Sequence, residues 1–179
     1  MFKYLLNLLF ALLFAAFFTA CGRIPDTSGN RAETLATLLQ TIDKNIPFEE
    51  ALSLSGEIFQ QTDQLRKQFD PVSEPHVNNF LVNIGLKEKG LCYEWSDPLY
   101  IYFRRKSYRY FSFHLLVANR GKYFQEHNVL AVTSKKDDIP NAVIIDPWRE
   151  PGTVYFSKVK DDKKYVWEHR FKRGCQKGR

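Results

Sequence analysis

Three short segments of this chain hold side chains able to do acyl chemistry. Lys89-Gly90-Leu91-Cys92-Tyr93-Glu94-Trp95 sets a thiol two residues after a glycine. Gln125-Glu126-His127-Asn128 sets an imidazole at the start of an apolar run, and Ile144-Ile145-Asp146-Pro147-Trp148-Arg149 sets a carboxylate at the end of another. A thiol hydrolase needs its cysteine on a turn or helix N-terminus, where backbone N–H groups favour the thiolate. It needs a histidine within hydrogen-bond reach and a third group that holds that histidine in one tautomer. The chain order is Cys92, His127, Asp146, with separations of 35 and 19 residues. If the strands carrying His127 and Asp146 are antiparallel neighbours, the start of one faces the end of the other, and the two side chains meet without strain.

The elements that must position these groups fall into two halves. Residues 31–86 carry helical periodicity: Leu35, Leu38, Leu39 and Ile42 repeat at i, i+3, i+4, i+7. Pro47 opens a second helix with Glu49 and Glu50 at its dipole and a face of Phe48, Ala51, Leu52, Ile58, Phe59, Leu65 and Phe69, ended by Asp70-Pro71. Ser73-Glu74-Pro75 starts a third, whose expected core face is Val77, Phe80, Leu81 and Ile84. From residue 90 the runs 110–118, 128–133, 142–145, 153–159 and 165–171 are short and rich in β-branched and aromatic residues, separated by turn chemistry such as Asn119-Arg120-Gly121 and Glu150-Pro151-Gly152. Such short connections require antiparallel pairing. The fold class expected is α+β, with N-terminal helices packed on an antiparallel sheet.

The run from Gly90 to Trp148 resembles the transglutaminase-like branch of the papain-like cysteine hydrolases. The Gly-x-Cys turn opening a helix, the His on one strand, the Asp on the next and the Asp-Pro-Trp closure carry the resemblance, which covers about sixty residues. It implies a transglutaminase-like core with Cys92 as nucleophile, His127 as base and Asp146 as the group orienting it. Two features depart from the pattern. Pro98, six residues after Cys92, is too deep for an uninterrupted helix starting at the cysteine, so Asp97-Pro98 is expected to cap a new helix through Tyr102 and Phe103. No Gln precedes Cys92 to serve the oxyanion; the Cys92 N–H is one donor, and Tyr93, Trp95, His114, Asn128 and Trp148 are candidates for a supporting or oxyanion role.

Each residue also has a plainer reading. Cys92 could be an inert buried thiol or pair with Cys175 in an oxidising compartment. His127 could be a surface histidine beside Glu126, His114 a core residue alternating with Ser112 and Leu116, and Asp146 a turn starter. His76 and His169 look peripheral. The four histidines are scattered, with no His-x-x-x-His or Cys-x-x-Cys pair, no phosphate-binding glycine loop and no Gly-x-Ser-x-Gly elbow. Neither a metal nor an organic cofactor is expected.

The N-terminus bears on location. Lys3 precedes an almost wholly apolar run from Tyr4 to Phe18, and Thr19-Ala20-Cys21-Gly22 follows. An apolar core of about 15 residues ending in small residues is a secretory signal, since a membrane span takes about 20. The segment resembles the lipobox of bacterial lipoproteins, which implies cleavage after residue 20 and lipidation of Cys21. Residues 21–30 then read as lipidated cysteine and flexible tether, reaching roughly 15 Å, and residues 31–179 as one domain with a helical part (31–89) and a sheet part (90–179). The chain is thus expected to be exported and lipid-anchored, in the outer membrane where there are two membranes, because Gly22 is no inner-membrane retention signal. A net charge of +6, with 44% hydrophobic and 15% aromatic residues, excludes general disorder and suits work beside anionic lipid or wall polymer. Without a run of five like charges, no nucleic-acid partner is expected. A peptide, wall-associated or acyl-conjugate substrate fits all of this. Substituting Cys21→Ser is expected to release the protein from membranes or leave a precursor without acyl label, as read by fractionation and fatty-acid incorporation; unchanged mass and labelling would exclude Cys21 as the lipid site.

Overall fold

Two leucines of the first periodic segment, Leu35 and Leu39, are fully buried against Ala51, Leu54 and Ile58 of the second, and this helical pair covers one face of the sheet. The computed structural model describes residues 28–174 apart from 137 and 152; the leader, Cys21 and Cys175 lie outside the described residues. Helix α1 (Ser28–Gln40) begins inside the segment expected to be tether, so residues 28–30 are helical. Helix α2 (Phe48–Phe69) has Pro47 at its N-cap, Glu49 and Glu50 in its first turn and Arg66 and Lys67 in its last. That arrangement suits the helix dipole. Asp70 ends it in the left-handed conformation, φ 43°, and Pro71 cannot continue it.

Helix α3 (Pro75–Asn83) forms where expected but does not build the core. Its one buried side chain is polar, Asn78, while Val77, Phe80 and Ile84 of the expected core face are exposed. Helix α4 runs unbroken from Cys92 to Arg104 with Pro98 inside it, contrary to the expected restart at Asp97-Pro98. The missing N–H of Pro98 strands the Glu94 carbonyl at a cost of about 3 kcal/mol. Burial of Trp95, Leu99 and Phe103 on the same helix offsets it. None of the described helices is long and apolar enough to cross a membrane.

The sheet has five antiparallel strands in the order β4-β3-β2-β1-β5: β1 (Phe111–Ala118), β2 (His127–Ser134), β3 (Val143–Asp146), β4 (Tyr155–Lys158) and β5 (Glu168–His169). The last run shrinks to two residues because Trp167 turns onto the sheet face and Arg170 turns inward. Leu130, Val132, Val143 and Ile145 face the helices; Val129, Ala131, Ala142 and Ile144 face the other way, under Trp167, Tyr155, Val159 and Tyr165. The connection from β4 across to β5 therefore roofs the second face. Every position of β2 and β3 is buried, which is why the run 129–132 and residues 143–145 are apolar at consecutive rather than alternate positions, with polar residues confined to the strand ends. The class is α+β.

The C-terminal segment is clamped to α4. Arg170, 2% exposed, donates to Asp97 and to Ser96 Oγ at 3.2 Å, and Gly174 N donates to the other Asp97 oxygen at 2.6 Å. Removing one partner of a buried ion pair strands the other charge. Asp97→Ala is expected to lower unfolding stability in urea by about 3 kcal/mol; a loss below a few tenths would mean that Arg170 is solvated in solution.

Candidate active site

Strand register brings His127 and Asp146 together. β2 and β3 pair through Leu130↔Ile145 and Ala131↔Ile144, so continuing the ladder sets Asp146 across from Val129, one same-face step from His127. The imidazole Nε2 donates to Asp146 Oδ2 at 2.6 Å, and both residues are buried, 2% and 1% exposed. Asp146 is held from its other side by Arg149, through the backbone N–H to Oδ1 and Nε to Oδ2, each at 3.0 Å. Arg149 reaches on to Asp162 (Nη2 to Oδ2, 2.8 Å), which also accepts from the Trp167 indole at 3.0 Å. The guanidinium lies over the Tyr155 ring, 3.9 Å from its centroid, and over that of Tyr165 at 4.9 Å. Trp148, Tyr165 and Trp167 pack around the His127 ring at centroid separations of 4.6, 4.8 and 5.5 Å.

Cys92 arrives from the helix side. It occupies the first position of α4, whose first-turn N–H groups have no intrahelical acceptor. Glu94 folds back to accept from the N–H groups of Gly90 and Leu91, at 2.7 and 2.9 Å, and so shapes the entry to the helix. Gly90 has φ 124°, and a Cβ there would sit 2.2 Å from Asn78 Nδ2, so only glycine fits. Its carbonyl accepts from both the Asn78 amide (3.2 Å) and the Trp95 indole (3.3 Å). The Cys92 sulfur touches both chain neighbours of His127: it lies 3.7 Å from the Glu126 carbonyl oxygen and accepts from Asn128 Nδ2 at 3.5 Å. Asn128 faces the helices and His127 the roof, so the sulfur sits where the end of β2 lets both be reached. Cys92 is a free thiol, 7% exposed, in a cluster with Phe69, Trp95 and Trp148.

Burial pushes the His127 pKa down, but the Asp146 charge and hydrogen bond, followed by the Cys92 sulfur, outweigh it and raise the ring to about 9. Its Nδ1 is buried without a hydrogen-bond partner of good geometry and is the ring atom left for the sulfur. Charge balance explains the direction. Asp146, Arg149 and Asp162 carry one net negative charge among them, which a protonated His127 cancels inside a low-dielectric shell. Burial acts to raise Asp162, and Arg149, the Lys164 N–H and Trp167 together hold it below the usual carboxylate range.

No family model, curated protein or solved structure matches this chain. The site is therefore read from its own geometry. Of the residues singled out in the sequence, the structure gathers Cys92, His127, Asp146, Asn128 and Trp148. Tyr93 stands half-buried beside Cys92 on α4. Trp95 is committed to the Gly90 carbonyl, so its indole is no oxyanion donor. His114 is not at the site: it pairs across β1–β2 with Ala131, about 13 Å along the strand from His127, and its ring meets Thr133 Oγ1 at 3.0 Å and His169 at 3.4 Å. Three participants went unread. Arg149 was visible three residues after Asp146, but Asp162 and Trp167 lie in stretches whose local sequence reads only as turn and strand.

A histidine whose folded pKa is raised from 6.5 to about 9 contributes stability that is fully present below pH 6.5 and is lost as pH rises through 9. Unfolding free energy is expected to fall by on the order of 3 kcal/mol across that window. Asp146→Asn should flatten the dependence. Urea titrations of both proteins at several pH values check it, and a wild-type profile flat to pH 10 would show that His127 is neutral.

Proposed function

We propose that this chain is a membrane-anchored cysteine hydrolase or acyltransferase with a transglutaminase-like, papain-like core, acting on an amide or ester. The observation that carries the reading is the convergence of Cys92 at a helix N-terminus on both neighbours of His127, whose ring is bonded to Asp146 at 2.6 Å. The chemistry follows from those positions. Cys92 attacks the carbonyl carbon as the thiolate, and the carbonyl π electrons move onto oxygen. The oxyanion is met by the first-turn N–H of Cys92 and by the Asn128 amide, which stands in for the absent glutamine once its Nδ2 releases Glu126 Oε1, to which it now donates at 3.3 Å. His127, charged at neutral pH, gives its proton to the leaving nitrogen or oxygen as the C–N or C–O bond breaks, leaving a thioester on Cys92. Water or an acceptor amine then attacks the thioester, returning its proton to His127 and the electron pair to sulfur. Asp146 holds the imidazole throughout, and Arg149 holds Asp146.

The apolar leader and Ala20-Cys21 support export and lipid anchoring, which sets the substrate at a membrane surface: a peptide, a wall-associated crosslink or an acyl conjugate. A second reading, a lipoprotein binding or assembly module on the same fold, is favoured by one observation. The sulfur and the imidazole are closed off, 7% and 2% exposed. The two readings separate on a p-nitrophenyl ester. The enzyme is expected to release a stoichiometric burst of nitrophenol and carry the acyl group on Cys92 by mass spectrometry, with Cys92→Ala lowering the rate by about 10³-fold or more. Iodoacetamide should also label the Cys92 peptide at neutral pH faster than a free cysteine. A protein with neither burst nor fast labelling, in solution and in phospholipid vesicles alike, is the binding module.

A further inference from the structure

Four of the nine large hydrophobic side chains that are exposed among the described residues fall within ten positions: Val77, Phe80, Ile84 and Leu86, the last two-thirds or more open at 72%. Val77, Phe80 and Ile84 repeat at helical spacing, so α3 turns a continuous apolar stripe outward. Scattered exposed apolar residues need no explanation, but a contiguous stripe marks a surface that meets something apolar.

The fastenings of α3 are polar and few. Asn78 donates to the Gly90 carbonyl at 3.2 Å and accepts from Val72 N at 3.3 Å, and Asn79 Oδ1 accepts from the Trp148 indole at 2.9 Å. His76 meets Trp148 edge-on at 5.3 Å. A helix held by such bonds rather than by apolar burial belongs to the part of a protein that opens most readily. Two of its attachment points, Gly90 and Trp148, are parts of the site. Gly90 leads into Cys92, and Trp148 lies on the His127 ring and shares a cluster with Cys92. The chain also enters the fold beside this cover: Arg31 of α1 donates to Val154 O at 2.6 Å and pairs with Glu150 at 3.6 Å, on the turn that carries Trp148. Six residues, 22–27, stand between Cys21 and α1 in the sequence.

We propose that α3 and the residues following it to Leu86 dock into a phospholipid surface, and that this docking draws Trp148 off the site and opens Cys92. The occupant is lipid because the stripe is apolar and continuous, and because the described chain begins at this end of the domain, a few residues after the cysteine read above as the lipid anchor. The opening step rests on the thiol-hydrolase reading above, and the choice of lipid as occupant rests on the lipid anchor of that reading. It would confine turnover to acyl or amide substrates presented at the membrane.

The test uses the full chain reconstituted in phosphatidylethanolamine–phosphatidylglycerol vesicles with brominated acyl chains. The emission added by Phe80→Trp should be quenched about threefold or more beyond that added by Lys136→Trp, past the far end of β2. In unbrominated vesicles, Phe80→Glu combined with Ile84→Glu should slow iodoacetamide labelling of the Cys92 peptide by about fivefold or more against wild type. Both positions are already exposed, so the charges do not enter a core. Equal quenching at 80 and 136 overturns the docking, and concentration-dependent self-association with that result gives the stripe to a second copy. Quenching with unchanged labelling overturns the opening alone. Quenching and slowed labelling without any ester burst uphold this inference while removing the enzyme reading.

Discussion

Four ionisable groups with almost no water around them govern the centre of this molecule: His127, Asp146, Arg149 and Asp162. Each charge is tolerable only because its neighbour carries the opposite one. Asp146 lies between an imidazole and a guanidinium, and Arg149 between two carboxylates, so removing any member leaves the rest unbalanced. The set also joins parts of the chain that would otherwise drift. β2 supplies the histidine, the end of β3 and its turn supply Asp146 and Arg149, and the connection to β5 supplies Asp162. Trp167 closes the circuit by bonding Asp162 and packing against His127. Aromatic rings shield the chain of charges from solvent, which strengthens every interaction within it.

That circuit explains the roof of the sheet. Crossing from β4 at one edge to β5 at the other costs a long connection with few backbone partners of its own. The connection is held down by buried side chains, Tyr165 and Trp167 on the sheet and Asp162 on Arg149. The same segment then delivers Arg170 to Asp97 on α4. Helix and roof thus grip the two faces of the sheet and meet at the end where Cys92 and His127 lie. Site geometry is set by elements that are rigid for reasons of packing. This is the condition under which the distances of a site survive thermal motion.

Closure at this end is the counterpart of that rigidity. Helix α3, beside Trp148, contributes little to the core and is attached through amide side chains, an arrangement that rests on little buried apolar area. Loose cover over a tight centre allows one to move without the other. In the proposed reading, displacing Trp148 gives a substrate access to Cys92 and leaves Asp146 in place.

Much of this was legible in the chain. Leu35 and Leu39 declared a buried helix face, Asp70-Pro71 its neighbour's end, and the Asp-Pro-Trp turn the end of a strand, because these depend on local periodicity and backbone chemistry. Cys92, His127 and Asp146 stood out because each lies where an element starts or stops. Three things depended on the tertiary structure. Pro98 sits inside a continuous helix because Trp95, Leu99 and Phe103 bury around it, a compensation that no local rule contains. Val77, Phe80 and Ile84 have the spacing of a core face yet look outward, because periodicity reports that a helix has two sides and not whether a partner exists for the apolar one. Asp162, read locally as a turn residue, became part of the site only when folding brought it against Arg149. A charge is buried according to what stands beside it in space, and sequence neighbours do not determine that.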